Sequence, residues 1–487
     1  MIRTGFKHLL CVLSVFLVII PQMGKAWDGW QSDKSWHALE SDVYYINSAE
    51  QLKGLADLIN NEGASFEGKT VKLIADIDMS NQPWVPIGNN FNGNMFNGIF
   101  DGGGHSISNI LIRVDSPEEN VYTSREAFGL FGFTSNSTIT NLTCNVAVIF
   151  SAQVYGNFPS YDIGGLVGSG TCNVSNVKCD VNISFDTNAT AQRVICGGLF
   201  GNVVGNAERV LISGKITEYS FAWFGTLVLG SICGNLNGNI TECASTAKIE
   251  LWSHNSSLQL GGVAGSCSEI VNTLFNGELI THSDGTKTPT IPSGIAGSCN
   301  SMNCVLFAPT AASIEGMMMA YFNPLAPSGN IINSYYLSGY SYVGGSSGTP
   351  INLSQLQSGT PLSGFDTSVW DFKSGDYPRL RALKSIYKIA VELLDGRISY
   401  MVPEGESVNI CVEGIDGQPI ETLYIDGIDK TNELINGIYH FDTVQGNHVV
   451  TIKYGKEETD STKPDINNDG VVDTQDVLTI YKYIQEH

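Results

Sequence analysis

A five-residue glycine motif recurs six times in the middle of this chain at nearly constant spacing. Its typical form is Gly-Gly-Leu-Val-Gly, and its last residue is glycine in every copy. The copies occupy residues 128–132, 164–168, 197–201, 230–234, 261–265 and 293–297. Counted between the last glycines, the spacings are 36, 33, 33, 31 and 32 residues. A repeat of this regularity restricts the fold to architectures that stack one structural unit many times.

Each copy is followed by alternating apolar residues, such as Val181, Ile183 and Phe185. This alternation is typical of β-strands, so each unit has room for two or three short strands joined by tight turns. A single coil cannot bury its apolar side, and we therefore expect the coils to stack as a parallel β-solenoid, or β-helix. A propeller is the alternative, but its blades usually need about 40 residues or more. We expect the motif glycines to turn corners with positive φ, which a Cβ atom resists.

Cysteine recurs at equivalent positions of the repeats. Ten cysteines follow residue 26, and nine of them lie inside the repeats. The alignment of repeats stacks Cys144 on Cys179 and Cys267 on Cys299. The chain has no Cys-x-x-Cys pair, which argues against a thiolate zinc site. Buried stacked thiols are the favoured interpretation, and a disulfide framework is the alternative that an even number of cysteines permits.

A solenoid exposes unpaired strand edges at both ends, and the flanking sequence predicts elements that cover them. Ser48 and Gln51 form a capping-box pattern. Apolar residues follow at helical spacing, namely Leu52, Leu55, Ala56 and Ile59. We expect an amphipathic helix here, then strands at 70–74 and 107–112. An aromatic-rich closing segment is expected at the far end of the solenoid, with Trp370, Phe372, Tyr377, Pro378 and Leu380.

The predicted fold class is all-β, with four segments along the chain. Residues 1–26 are predicted to be a signal peptide, and 27–385 a β-solenoid of about 32-residue repeats with an N-terminal cap helix. The repeat stops near residue 386, where strands with Gly-containing turns predict a small immunoglobulin-like β-sandwich over 386–455. Residues 456–487 contain a polar linker and a predicted C-terminal calcium loop and helix.

The first 26 residues have the pattern of a secretory signal. Arg3 and Lys7 precede an apolar run at 9–20, and Ala26 precedes the expected cleavage site. That run is shorter than the roughly 20 residues that span a bilayer, so we expect no transmembrane anchor after cleavage and a secreted or cell-surface location. The chain carries 26 basic and 48 acidic residues, a formal net charge of −22. Such a charge argues against nucleic acid as a partner.

Near the C-terminus, oxygen-bearing side chains alternate in a pattern typical of a calcium loop. Oxygen ligands are available at loop positions 1, 3, 5, 7, 9 and 12, and Gly470 stands at position 6. The predicted ligands are Asp465, Asn467, Asp469, the carbonyl group of Val471, Asp473 and Asp476. Without a cation these carboxylates would repel one another, so we expect calcium to order the loop and the helix after it.

Aspartate at the twelfth position, with a helix after the loop and none before it, resembles a type I dockerin repeat. The resemblance implies docking to a cohesin-like partner, with Thr474 and Gln475 helping to set partner choice. That family carries two such repeats, and this chain has one. The glycine motifs, preceded by the glycine-rich residues 96–105, resemble the GLUG repeats of bacterial surface proteins. This second resemblance implies a bacterial source and an adhesin-like role.

β-Helices also host polysaccharide-degrading enzymes, so only specific residues can decide whether this chain is one of them. It contains neither an Asp-Asp pair nor a His-Glu-x-x-His motif. Asp76 and Asp78 are spaced to share one strand face, which makes them the candidates for a catalytic carboxylate pair. For Asp101 and His105, roles in turns or in ladders between coils are favoured. The aromatic residues Trp223, Trp252 and Tyr335 are candidates for stacking on sugars, although packing is the more frequent use of such rings.

Two functions remain open at this point. The favoured hypothesis is a secreted, non-catalytic adhesin or carbohydrate-associated binding protein, with a glycan or a surface protein as its ligand. No catalytic residue is assigned under it. The alternative is a glycoside hydrolase or lyase built on a β-helix and recruited through its dockerin-like tail.

Overall fold

The computed structural model describes residues 31–89, 93–115, 126–151, 160–186, 193–219, 226–252, 258–282, 292–315, 323–340, 348–381, 386–393, 396–403, 407–412, 419–435, 437–444 and 448–455. The chain divides into two compact units between Leu383 and Lys384. No helix among the described residues has the length and apolar character needed to cross a membrane.

The first unit contains 26 strands and two α-helices among its described residues. Their bounds are β1 Val43–Ile46, α1 Ala49–Asn60, β2 Thr70–Leu73, β3 Ile77–Asp78, β4 Ile99–Asp101, β5 Ser106–Asp115, β6 Glu126–Phe128, β7 Phe131–Ser151, β8 Ser160–Gly164, β9 Val167–Asp186, β10 Arg193–Gly197, β11 Phe200–Val204, β12 Ala207–Glu218, β13 Thr226–Gly230, β14 Cys233–Thr241, β15 Ala244–Ser245, β16 Lys248–Leu251, β17 Leu258–Leu260, β18 Ala264–Phe275, β19 Glu278–His282, β20 Ala296–Phe307, β21 Ala311–Glu315, β22 Asn330–Ile332, β23 Tyr335–Leu337, β24 Thr349–Ile351, α2 Leu353–Leu356, β25 Trp370–Asp371 and β26 Arg379–Leu380.

These strands form the predicted parallel β-solenoid, with about six turns. Nineteen of them belong to one large sheet, and β6, β8, β10, β13 and β17 form a second, five-stranded sheet. Equivalent residues of successive repeats pair directly, so that Gly197 lies between Gly164 and Gly230. The repeat period therefore sets the register, as stacking of coils requires.

The motif glycines are needed for close approach of the backbone, and the prediction of positive φ at these glycines is wrong. Among the described glycines, positive φ occurs elsewhere, for example at Gly170 and Gly205. A Cβ atom placed on Gly201 would lie 2.4 Å from the carbonyl oxygen of Gly168 and 2.8 Å from the amide nitrogen of Ile163. Only a residue without a side chain fits between backbones at this distance.

The corners of the coil are instead made by residues that follow the motif. Strands such as β7 and β9 are longer than the short strands predicted, because they continue through a bend. At the bend one residue per coil has φ between 46° and 54°, and these residues are Asn141, Asn176, Arg209, Glu242, Asn272, Cys304 and Asn333. The register places them in one column across the coils. Four of the seven are asparagine, which tolerates left-handed backbone better than most residues.

The predicted stacking of cysteines is confirmed. Cys144 pairs in register with Cys179, and their Sγ atoms lie 2.9 Å apart. Cys267 pairs with Cys299, with 3.4 Å between the Sγ atoms. The nine described cysteines of the solenoid are buried and free, which favours stacked thiols over a disulfide framework.

The predicted N-terminal helix is confirmed as α1. Its four expected apolar residues are buried and belong to the same cluster as the interior of the solenoid. Ser48 caps the helix by accepting a hydrogen bond from the amide of Gln51. The Gln51 side chain accepts from the amide of Asn47, one residue before the position that a capping box requires. The helix thus closes the apolar interior next to the first coils.

The described residues of the second unit form two small sheets. Its strands are β27 Ile386–Leu393, β28 Gly396–Pro403, β29 Val408–Cys411, β30 Ile420–Ile425, β31 Ile428–Asp429, β32 Ile438–Phe441 and β33 His448–Tyr454. Five of them form a mixed sheet in the order β28-β27-β33-β30-β31, while β29 and β32 form an antiparallel pair. Residues of both sheets, such as Val391 and Ile410, share one buried core, as expected for a small sandwich.

Candidate functional site

One outward-facing column of the solenoid is apolar. Two residues after the bend, the register aligns neighbouring strands in a column formed by Lys178, Leu211, Ala244, Leu274 and Leu306. The next residues, such as Phe275 and Phe307, belong to the interior cluster, because side chains alternate across a strand. Leu274 and Leu306 belong to a separate buried cluster on the outside of the same sheet. We call the four apolar residues, Leu211 to Leu306, the apolar column.

The aromatic closing segment, residues 352–381, covers part of this column. Phe365 and Trp370 are buried together with Leu274 and Leu306 in one cluster. The pairing of β25 with β26 places Trp370 opposite Leu380, and Arg381 Nε donates a hydrogen bond to the Trp370 carbonyl oxygen at 3.0 Å. The segment was expected at the far end of the solenoid. It is buried there with Leu337 and Ile351 of the last strands, and it also extends over the outward face of the coils, because the apolar column offers it a surface to bury.

A groove remains where the closing segment and the apolar column diverge. Its volume is about 410 Å³, which lies within the usual range of small-molecule sites. Its lining combines an apolar floor with polar and charged edges. The lining residues are Lys178, Leu211, Ala244, Ser245, Thr246, Leu274, Asn276, Asp376, Tyr377, Pro378, Arg379 and Leu380.

The polar edge of the groove is formed by Thr246 and Asn276. Thr246 and Asn276 occupy the position two residues after Ala244 and Leu274 on their coils. The Asn276 Oδ1 atom is buried and accepts no hydrogen bond within the described part of the chain. The exposed Thr246 hydroxyl group is the polar group of this edge that a ligand can reach.

The charges of the groove lie on its two sides. Arg379 pairs with Asp376 on the closing segment, with 3.3 Å between Nη2 and Oδ1. Lys178 stands at the end of the apolar column and makes no ion pair with any described residue. Its strand neighbour Asp180 accepts hydrogen bonds from Asn145 and Ser213 at 2.9 and 2.8 Å. The groove therefore combines an aromatic ring, an apolar floor, an exposed hydroxyl group and an ammonium group that no described carboxylate pairs with.

The aspartates considered as catalytic candidates tie one coil to the next. Asp76 accepts from the amide of Ser106 at 2.7 Å and lies 3.6 Å from Nδ1 of His105. Asp78 accepts from Asn109 at 2.8 Å, and this hydrogen bond lowers the pKa of the Asp78 carboxyl group. Both carboxylates are thus occupied by the turns beside them.

Asp101 is likewise engaged. Burial raises the pKa of its carboxyl group, but hydrogen bonds from Asn141 and Gly103 and the Lys72 ammonium group at 3.0 Å outweigh burial. The pKa of Asp101 is therefore held below its ordinary value, and the group stays ionised near neutral pH. An ionised carboxylate cannot donate a proton to a leaving group.

The aromatic residues considered for sugar stacking differ in what their faces meet. The Trp252 ring stacks on Tyr219 at 4.7 Å and on His282 at 4.0 Å, so both faces of the indole are covered. The Tyr335 hydroxyl group donates to the Ser363 carbonyl oxygen at 3.0 Å, and its ring lies near Phe365. Trp223 lies outside the described residues. Trp252 and Tyr335 therefore serve packing.

A charged cluster surrounds Glu250 on the same face as the stacked rings. Lys215 and Lys248 lie 2.8 and 3.3 Å from its carboxylate, and His282 lies 3.4 Å away. Burial raises the pKa of Glu250, but the two ammonium groups outweigh it and lower the pKa overall. The charges of this cluster are satisfied among themselves.

The predicted calcium loop lies outside the described residues. This applies to its ligands Asp465, Asn467, Asp469, Val471, Asp473 and Asp476, and to the partner-binding candidates Thr474 and Gln475. Within the described ranges, no group of three or more histidine, cysteine, aspartate or glutamate side chains is arranged to hold a metal ion.

Sequence reasoning missed the groove. One signal for it was present, because Leu211, Leu274 and Leu306 break the outward polar pattern at one fixed position of the repeat. A second was the aromatic content of the closing segment, which exceeds what a short cap needs. The two signals meet only in the folded chain, since Lys178 and Pro378 are 200 residues apart.

Comparisons with known proteins place few constraints on the chain. No known protein family matches it, and no curated protein does. Among solved structures, the chain is similar to a Bacteroides ovatus protein provisionally described as an immunoglobulin A1 protease. The two share 14% identity with a TM-score of 0.43, over 70% of this chain and 93% of the other.

Proposed function

We propose that this chain is a bacterial carbohydrate-binding protein, secreted or held at the cell surface, that takes a glycan in the groove beside the closing segment. The observation that carries the proposal is the composition of the groove. Tyr377 and the apolar floor suit the apolar faces of sugar rings, and Asn276 and Thr246 suit their hydroxyl groups. The repeating coils would then act as a rigid support that keeps this lining in place.

The state of Asp78 and Asp101 argues against a part for these two residues in hydrolysis. A glycosidase of the usual kind needs one carboxylic acid whose pKa is raised, together with a second carboxylate across the bond. The pKa values of Asp78 and Asp101 are both lowered, and each carboxylate is held by neighbouring residues. These residues therefore support the coils, and the proposal assigns them no part in catalysis.

A steric block of the groove tests the proposal. Thr246 is exposed at the groove edge, so Thr246→Trp fills the groove without disturbing the core. Thr360→Trp places the same ring at an exposed residue outside the groove. On an array of plant and host glycans, we expect the full chain and Thr360→Trp to bind the same glycans and Thr246→Trp to bind none. Equal binding by the full chain and both variants would refute the groove as the binding site. Release of shorter sugars from a glycan incubated with the full chain would favour the enzyme alternative.

The C-terminal tail is proposed to bind calcium through the loop ligands predicted from the sequence. The spacing of oxygen donors in 465–476 supports this proposal. Calorimetric titration of the full chain with calcium should give one site, lost in Asp469→Ala and retained in Asp442→Ala, whose carboxylate lies in the second unit. Capture of a cohesin in calcium and its release by chelator would support docking, while calcium binding without capture would limit the ion to ordering the tail.

A further inference from the structure

We infer that the groove is selective for acidic glycans, whose sugar units carry carboxylate groups. This inference rests on the proposed function and concerns the chemical class of the ligand. It is carried by the charges on the two walls of the groove, with Lys178 on one side and Arg379 on the other.

Lys178 differs from other lysines of the solenoid sheets. Lys72 pairs with Asp101 at 3.0 Å, Lys215 pairs with Glu250 at 2.8 Å, and Lys248 lies near Glu250 and Glu278. Lys178 is partly buried, yet no carboxylate among the described residues pairs with it. In a chain with 48 acidic and 26 basic residues, an ammonium group beside a groove that pairs with no described carboxylate is available to a ligand.

The nearest carboxylates do not take this role. Asp180, two residues along the strand, is held by Asn145 and Ser213. Asp376 lies across the groove and pairs with Arg379 at 3.3 Å. The Arg379 guanidinium has five donors and is exposed, so it keeps donors for a second carboxylate after pairing with Asp376.

The length of the groove favours an oligosaccharide over a single sugar. Lys178 and Leu274 are separated by three strand spacings along the axis, which is ~14 Å for parallel neighbours. A chain of sugar units can therefore lie along the apolar floor, with a carboxylate at Lys178 and its hydroxyl groups near Thr246 and Asn276.

The acidic surface of the protein does not prevent this binding. The formal net charge of −22 repels anions at long range, but the Debye length is about 8 Å at physiological ionic strength. The charges within the groove therefore decide the affinity. Because Lys178 is only partly buried and Arg379 is exposed, we expect the binding of an acidic glycan to weaken as salt is added.

The test compares one oligosaccharide in two forms, trigalacturonate and its carboxyl-reduced neutral counterpart, by calorimetric titration of the full chain. Lys178→Gln should weaken the binding of trigalacturonate about fivefold, the effect of a contact worth about 1 kcal/mol. Lys178→Arg should retain most of the affinity. Lys373→Gln removes an equal charge at an exposed residue of the closing segment outside the groove lining, and it should bind like the unmodified chain.

The outcomes separate this inference from the proposed function. Preference for the acidic form, lost in Lys178→Gln alone, would support acidic selectivity. Equal binding of both forms that is unaffected by Lys178→Gln but abolished by Thr246→Trp would overturn the selectivity and leave the groove as a glycan site. Binding that Thr246→Trp does not change, or absence of binding to either form and to the glycan array, would overturn both.

Discussion

At the residue scale, the last glycine of each motif lies where the backbone of another strand approaches closely. A Cβ atom on Gly234 would lie 2.6 Å from the amide nitrogen of Cys196, and one on Gly265 would lie 2.7 Å from that of Leu229. The same contact recurs from coil to coil, which explains why only this motif position is glycine in all six copies. Ser231 stands at the second motif position, so that position accepts a side chain.

We predict that Gly201→Ala lowers the free energy of unfolding by about 3 kcal/mol, at the upper end for overpacking, because the clash is with backbone on two sides. Val204→Ile adds one carbon to an exposed side chain on the same strand and should change stability by less than about 0.5 kcal/mol. Chemical denaturation of both variants checks the difference. Equal, small effects would mean that the close approach at Gly201 does not constrain the fold.

Also at the residue scale, Asp101 links the stability of the first coils to pH. The pKa of Asp101 is lower in the folded chain than the value of about 3.9 expected in the unfolded chain. The ionised carboxylate therefore stabilises the folded chain at pH values above about 3.9. This contribution is lost as pH falls through the folded-state pKa. Asp101→Asn should therefore be less stable at pH 7 but lose less stability between pH 5 and 3. Urea unfolding across this range measures both, and parallel profiles for the two proteins would contradict the assignment.

At the element scale, the described cysteines of the solenoid are buried inside the coils, and two pairs of them are stacked between neighbouring strands. Burial raises the pKa of the Cys172 and Cys243 thiols to about 12, and burial also raises the pKa of Cys196 and Cys233. Because a thiol reacts as its thiolate, these side chains should resist alkylation in the folded chain at pH 8 and react fully in denaturant. Mass spectrometry of the labelled peptides measures this. Rapid labelling of the native chain, or a Cys144–Cys179 disulfide, would contradict the stacked-thiol arrangement.

The same scale shows what the sequence can predict. Equal spacing of repeats is enough to align Cys144 with Cys179, because a stacked coil places residue i beside its equivalent one period later. Helix α1 followed from its cap and its apolar spacing. The role of the motif glycines did not follow, since a glycine in a sequence looks the same whether it serves a positive φ or a close backbone contact. The bend at Asn141 and Asn176 was visible as a recurring asparagine, but its conformation depends on the stacked coils.

At the scale of the whole molecule, the groove depends on packing between segments that the sequence separates widely. The apolar column comes from successive repeats, and its cover comes from residues 352–381. The apolar column and the closing segment can each be recognised in the sequence, as an apolar and an aromatic pattern. Their meeting, and the position of Lys178 beside them without an ion pair to any described residue, are properties of the tertiary structure. Sequence patterns directed attention to Asp76 and Trp252 instead.

A crystal structure of the full chain grown with an acidic oligosaccharide is the most direct test of the groove as the functional site. We predict sugar density along Leu211, Ala244 and Leu274, with a carboxylate within hydrogen-bonding distance of Lys178 Nζ. Sugar bound on another surface, with the groove empty, would contradict this assignment.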